Sequence, residues 1–232
     1  MLQRERELRL LNELKEAEIA KVVTQGLNPN VKMKDSGISW IGMIPEHWEM
    51  KRVKYLFDLI TKKCHSDNKI GLENIESFTG RFIPTESEFE GDGIEVHIDD
   101  IVYGKLRPYL CKVWLAEWDC NAVGDFYVFR CVSDLTPDYS KLLFLSSQFT
   151  GICSASTYGA KMPRVSATFI QSLQFPVPPI DEQHAIVSYI DDKCAKIISL
   201  ISELEAEIEY LKEYKQRLIA DCVTGQVNVQ NE

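Results

Sequence analysis

Near the C-terminal end of the chain, apolar side chains recur every seven residues for almost five heptads. One series reads Ile190, Ile197, Leu204, Leu211 and Leu218; its companion reads Cys194, Ile201, Ile208, Lys215 and Cys222. Alternating steps of four and three place both series on one stripe of an α-helix, the a/d seam of a coiled coil, interrupted by a single Lys. Pro178-Pro179 stops the preceding segment, and Asp181 and Glu182 put negative charge in the first turn, where the helix dipole favours it. Gly225, after Thr224, is the residue type that ends a helix in the left-handed conformation. The predicted helix therefore fills 180–225, roughly 65 Å at 1.5 Å per residue. An a/d stripe is ordinarily plain core. A helix this long, however, cannot pack along its whole length on a domain of about 130 residues, so most of it requires another helix.

The other end of the chain supplies a shortened copy of that helix. Residues 11–28 (LNELKEAEIAKVVTQGLN) align without gaps on residues 211–228 (LKEYKQRLIADCVTGQVN) at a constant offset of 200. Identities fall at Leu11, Glu13, Lys15, Ile19, Ala20, Val23, Thr24 and Asn28. Two amphipathic helices share Leu and Lys readily, but here the exit from the helix matches as well, which points to duplication. Leu8, Leu11 and Val22 lie on the copied seam and Lys15 matches Lys215, yet this helix is too short to cover the long one alone. A second long helix, from another chain or another half, is implied.

Net charge of −9 argues against a nucleic-acid partner only until it is located. Residues 181–232 hold 5 basic and 11 acidic side chains, whereas residues 51–180 hold 14 and 16. The middle is nearly neutral, and phosphate contacts act within a Debye length of about 8–10 Å, so local clusters decide. The seven cysteines, at 64, 111, 120, 131, 153, 194 and 222, include no C-x-x-C pair. They read as reduced structural thiols rather than a zinc site or disulfide framework. No apolar run reaches the ~18 residues of a membrane span, and the charge-alternating start is no signal peptide. A cytoplasmic protein is expected.

Between the helices, residues 29–48 form a linker punctuated by Gly, Pro and Ser, with Trp40, Ile41, Ile44 and Trp48 expected to pin it to a surface and His47 expected to be structural. Residues 49–179 read as a mixed α/β domain. Strands are predicted at Ile94–Val102, Lys112–Leu115 and Phe126–Cys131, and short helices at Tyr139–Gln148 and Thr168–Leu173. No phosphate loop, G-x-G-x-x-G, H-E-x-x-H or G-x-S-x-G occurs. A methyltransferase would need a cofactor loop and a catalytic motif of Asn/Asp-Pro-Pro-Tyr/Phe type, and neither is present. Asp99-Asp100 before Lys105 has the wrong spacing for a carboxylate–lysine nuclease. Two loops, Tyr103-Gly-Lys-Leu-Arg-Pro-Tyr109 and Tyr158-Gly-Ala-Lys-Met-Pro-Arg-Val-Ser166, combine cations and aromatics with Gly and Pro. Such loops are solvated turns or contacts to phosphates and base edges, and the residues alone leave both readings open.

The stretch from Met33 to Arg52 (MKDSGISWIGMIPEHWEMKR) resembles the entry to a target-recognition domain in specificity subunits of Type I restriction–modification systems. Gly104–Tyr109, Lys161–Ser166 and Pro176–Gln183 resemble that domain's later signatures, and Arg217–Gly225 resembles the family's C-terminal helix end. Together these motifs span essentially the whole chain.

The resemblance implies two recognition domains held apart by two long antiparallel helices, each domain reading half of a split target in double-stranded DNA. It implies modification subunits that methylate adenine with S-adenosylmethionine and restriction subunits that use ATP and Mg. No cofactor or metal is expected on this chain, nor any catalytic residue. Lys105, Arg107, Tyr109, Lys161 and Arg164 are expected at the DNA face. The departure is that one recognition domain stands where the family has two, so the chain is the C-terminal half of a full subunit or a natural half-subunit. The working expectation is the half-subunit, closing its seam (Ile190, Ile197, Ile201, Leu204, Ile208, Leu211, Leu218) by twofold pairing with a second copy. The expected fold is α+β: an N-terminal helix over 1–28, a linker over 29–48, a recognition domain over 49–179, a coiled-coil helix over 180–225 and a tail over 226–232. The rival expectation is a coiled-coil adaptor whose middle domain binds protein.

Overall fold

The computed structural model describes residues 2–224 other than Ser66, Ser133 and Ala160, with backbone alone at Leu2. The Gly225 cap and the 226–232 tail lie outside the described residues. The chain separates into two compact units. One comprises the first 17 residues and the chain from Ile190 onward; the other is Glu18–Tyr189.

Helix α1 (Leu2–Gln25) is followed by a hairpin of β1 (Met33–Asp35) and β2 (Met43–Pro45), then β3 (Glu49–Arg52) and one helical turn, α2 (Val53–Leu56). The strands β4 (Phe57–Ile60), β5 (Lys63–Cys64), β6 (Lys69–Ile70), β7 (Gly93–Val96), β8 (Ile101–Gly104), β9 (Val113–Leu115), β10 (Cys120–Ala122) and β11 (Phe126–Cys131) form the middle. Helices α3 (Pro137–Leu145), α4 (Ser147–Ala155) and α5 (Ala167–Ser172) lead to β12 (Gln174–Val177), which pairs antiparallel with β3, and then to α6 (Ile180–Val223). This is the α+β class read from the sequence, a mixed domain between a shorter N-terminal and a long C-terminal helix.

The larger unit is layered around an antiparallel sheet of order β4–β11–β8–β9. Tyr103 faces Tyr127 and Ile101 faces Phe129 across the β8–β11 pair. On that face, buried Tyr103 and Phe129 meet Phe57, Phe144 and Phe149, ring centroids lying 4.9–6.2 Å apart in mostly edge-to-face contacts. Val102, Val128, Phe126 and Trp114 point the other way, into a cluster with Ile70, Ile75, Val96 and Ala122. Three of these come from or adjoin the second sheet, β5–β7–β10–β6, in which only the β10–β6 pair is parallel. Burial on both faces explains why β11 is a near-continuous apolar run rather than an alternating one.

Two expected elements are interrupted, each by a side chain that bonds to its own backbone. The strand read as Ile94–Val102 becomes β7 and β8 because Asp100 accepts from His97 N (2.8 Å) while Asp99 turns through φ 68°. The helix read as Tyr139–Gln148 becomes α3 and α4. Ser146 stands in extended backbone between them, and its hydroxyl accepts from Phe149 N (3.3 Å), the N-cap of α4. The linker is pinned at Trp48, which is fully buried and donates to Glu182 Oε2 (2.9 Å), while His47 Nε2 lies 2.6 Å from Glu182 Oε1. Glu182 thus ties the linker to the first turn of α6.

In the smaller unit α1 and α6 run antiparallel. Arg4 Nε donates to Glu207 (3.0 Å), Leu11 lies beside Leu200 and Leu204, and the Lys15 ammonium acts on the Cys194 thiol, whose pKa is raised by burial and opposed by that charge. Ile190, Ile197 and Ile208 are buried, whereas Ile201, Leu204 and Leu211 are half-buried. Beyond Leu211 most of the helix is exposed, Asp221 and Cys222 being half-buried. Residues 212–220 are all exposed, Leu218 to 43% and Ile219 to 52%.

Asp100 is 1% exposed and its carboxylate is held by Arg130 Nε (2.8 Å) and Nη2 (2.7 Å). Arg130→Ala strands that buried carboxylate and is expected to cost about 3 kcal/mol. Chemical denaturation of the two proteins checks the value; a loss below about 1 kcal/mol would mean the pair behaves as a surface pair.

Candidate nucleic-acid interface

The two basic loops, Tyr103–Tyr109 and Tyr158–Ser166, are far apart in sequence but joined in the structure. Lys105 N is held by Asp125 O (2.9 Å) at the end of β8. From there the chain runs beside the second loop: Arg107 N donates to Pro163 O (2.8 Å) and Val165 N to Lys105 O (3.2 Å). The second loop is closed on itself by reciprocal bonds between Tyr158 and Arg164, both 3.0 Å. Backbone hydrogen bonds, rather than side-chain proximity, therefore fix one loop against the other.

An acidic side chain at the junction completes the joint. Asp125, just before β11, accepts from Arg164 Nε (3.0 Å) and Nη2 (2.8 Å) in a two-pronged fork, and Lys105 Nζ lies 3.8 Å from Oδ1, the oxygen that also accepts from Arg164 Nε. The Arg164 hydrogen bonds hold the Asp125 carboxyl below its usual range against the opposing effect of burial, and the same bonds raise Arg164. Lys105 Nζ also sits 5.2 Å from the centre of the Tyr127 ring. The Tyr127 hydroxyl donates to Val165 O (3.2 Å) and accepts from Ala167 N (3.1 Å), tying the second loop to β11.

The five residues expected at a DNA face thus divide. Arg107, Tyr109 and Lys161 are exposed, whereas Lys105 and Arg164 are half-buried and engaged by Asp125. Tyr158 (58% exposed) and Met162 (45%) widen the same pair of loops. Arg107 is held at φ 50°, ψ 63° ahead of buried Pro108, although a residue before proline prefers extended backbone. Its N–H bond to Pro163 O and the Leu110 N bond to its own carbonyl (2.9 Å) over-determine that left-handed conformation, which aims the guanidinium. Asp125 was missed in the sequence because a search for cations passes over a lone carboxylate. The signal was its place, after Gly124 at the head of a strand adjoining the first loop.

Nearby, Asp100 is paired with Arg130, whereas Lys105 pairs with Asp125. Among the described residues no group of three or more His, Cys, Asp or Glu is arranged to hold a metal ion, and no helix is long and apolar enough to cross a membrane.

Comparison with known proteins places this geometry. Residues 45–210 match the family model of the Type I restriction modification DNA specificity domain, and the chain belongs to that family. It is 27% identical over 197 residues to the Type I restriction enzyme EcoDI specificity subunit of Escherichia coli, covering 81% of this chain and 44% of that protein. It is 23% identical over 248 residues to the MjaVIII specificity subunit of Methanocaldococcus jannaschii, covering 97% and 56%. The chain therefore spans about half the length of these relatives. The fold resembles the HsdS subunit of Thermoanaerobacter tengcongensis (TM-score 0.55, 15% identity, 97% of this chain and 54% of that one). It also resembles a chain from a structure describing complex assembly and conformational transition of the type I R-M system (TM-score 0.64, 14% identity, 94% and 53%).

The lowered Asp125 carboxyl has a pH signature. Its stabilising effect is present above the ordinary carboxylate pKa of about 3.9 and is lost as pH falls through the lower folded-state value. Asp125→Asn is expected to lower the thermal midpoint by a few degrees at pH 7, with the gap to the unaltered protein closing as pH falls below that range. Thermal unfolding across pH 2.5–7 (about four pH units, bracketing the ordinary carboxylate pKa) reads this; a gap independent of pH contradicts it.

Proposed function

We propose that this chain is a sequence reader of a Type I restriction–modification complex, recognising one half of a bipartite target in double-stranded DNA. On this reading it also scaffolds the modification and restriction subunits, and it works as a twofold homodimer of half-subunits in the cytoplasm. It performs no chemistry itself. S-adenosylmethionine, ATP and Mg belong to the partner subunits.

The observation that carries the reading is the joining of the two basic loops. It sets exposed Arg107, Tyr109 and Lys161 on two hydrogen-bonded loops, where Asp125 offsets one of the two positive charges of Lys105 and Arg164. Exposed cations and aromatics on a rigid support suit a duplex: the guanidinium matches phosphate or a guanine edge, the ammonium pairs with phosphate, and the phenol packs on sugar or base. Lys105 and Arg164 then act as positioning residues rather than direct contacts. The homodimer rests on the bare stretch of α6 beyond Leu211, which offers half of a two-helix seam.

A coiled-coil adaptor that binds only protein is separated from this reading by salt. Phosphate contacts release counterions, and each one lost reduces the slope of log K against log[salt] by about 0.9. Arg107→Ala with Lys161→Ala, in the complex assembled with its modification subunit, is expected to flatten that slope by about 1–2 units. Fluorescence anisotropy with target duplex across a salt series makes the measurement; an unchanged slope and affinity contradict the assignment.

A further inference from the structure

The copied helix has a consequence for how two chains meet. Within one chain, α1 is already seated on α6 with residues 4, 15 and 18 facing 207, 194 and 189: Arg4 bonds Glu207, Lys15 acts on Cys194, and Tyr189 Oη donates to Glu18 (3.2 Å). Moving α1 by its repeat offset of 200 turns these pairs into 204/207, 215/194 and 218/189. Such pairs belong to two α6 helices crossing antiparallel about a twofold axis between Glu203 and Ala206. The intrachain helix pair is thus a template for the pair that two copies would form.

We propose that the end of α6, from Ile208 to Thr224, most of it exposed beyond Leu211, is an interaction surface for a second copy of this chain, and that it binds in the seat α1 occupies on that copy. Helix α1 is then an intramolecular stand-in that must yield when the seam closes between chains. The claim rests on the homodimer reading above and deepens it.

Three observations support the exchange. First, the side chains buried in α1 recur bare in α6: Ile19 (5% exposed) and Val23 (1%) correspond to Ile219 (52%) and Val223 (82%). Second, in the larger unit the end of α1 is recognised through its backbone, Tyr139 Oη donating to Val23 O (3.1 Å) and Gln148 Nε2 to Ala20 O (3.3 Å). Backbone acceptors are offered equally by the twin residues Val223 and Ala220. Third, α1 carries charge at three positions where its twin is apolar or neutral. Arg4 and Glu18 stand where the other copy has Leu204 and Leu218, and Glu16, whose carboxyl is pushed up by burial, stands where it has Gln216. The incoming helix therefore brings apolar contact in place of a half-exposed ion pair, a tyrosine–carboxylate bond and a partly buried acid, a gain for the exchange.

The sign of one substitution tests this. Leu8→Glu with Leu11→Glu loosens α1 from α6 and leaves α6 intact; Ile219→Glu with Val223→Glu alters only side chains exposed in the single chain. Sedimentation equilibrium of the full chain is expected to show a dimer about tenfold tighter in the first variant and at least about tenfold weaker in the second. A dimer weakened by both pairs makes α1 part of the interface and overturns the stand-in, while leaving the homodimer standing. Monomers in all three proteins at high micromolar concentration overturn both. A wild-type monomer that dimerises once α1 is loosened supports the stand-in and restricts the homodimer reading to the released state. Should the variants dimerise poorly through misfolding, a labelled peptide of residues 204–224 keeps the test open. It is expected to bind the Leu8→Glu/Leu11→Glu chain about tenfold tighter than the unaltered chain, and equal binding overturns the proposal.

Discussion

The Asp125 carboxylate, gripped by Arg164 and flanked by Lys105, is the side-chain interaction at the centre of the two joined basic loops. A cluster of cations repels itself, and loops that carry one tend to spread. One carboxylate at the base reverses that tendency. It offsets one of the two positive charges where the loops join, while Arg107 and Lys161 stand exposed to solvent. The backbone ladder between residues 105–107 and 163–165 adds geometric definition that ion pairing alone does not provide. Rigid support of this kind reduces the ordering cost when a ligand binds, because the loops need not be fixed at that moment.

The long helix imposes the second constraint, and it is one of length. Packing density falls along α6, from Ile190 and Ile197, which are buried, to a last turn with Val223 at 82% exposure. Helices of this length in water are held by the faces they bury more than by intrinsic propensity, so the uncovered end is the part of the chain most in need of a partner. The repeat explains why the covered end is covered: α1 is a piece of the same helix in another place. Within one chain, the shorter copy, α1, lies against the longer one, α6.

Much of this was legible in the sequence. The 3.5-residue apolar period located α6, the two prolines and the acidic first turn marked its start, and the repeat announced α1. The strand at Phe126–Cys131 was read to the residue, because its apolar run is burial on two faces written out directly. What escaped was local backbone chemistry. Ser146 capping α4 and Asp100 capping the turn at His97 each split one expected element into two, and neither leaves a periodic trace. The joining of the basic loops escaped for a different reason. The loops were each visible as candidates, but their contact runs through backbone groups at Lys105, Arg107 and Pro163, which carry no residue-type signal, and through Asp125, whose charge is opposite to the one sought.

The central claim is that the joined loops face the duplex. Replacing Tyr109 by a photoreactive phenylalanine analogue and irradiating the assembled complex on target DNA tests it most directly. The account predicts a protein–DNA crosslink confined to one half of the split site and abolished by competing unlabelled target. A crosslink to a partner subunit with none to DNA would contradict it.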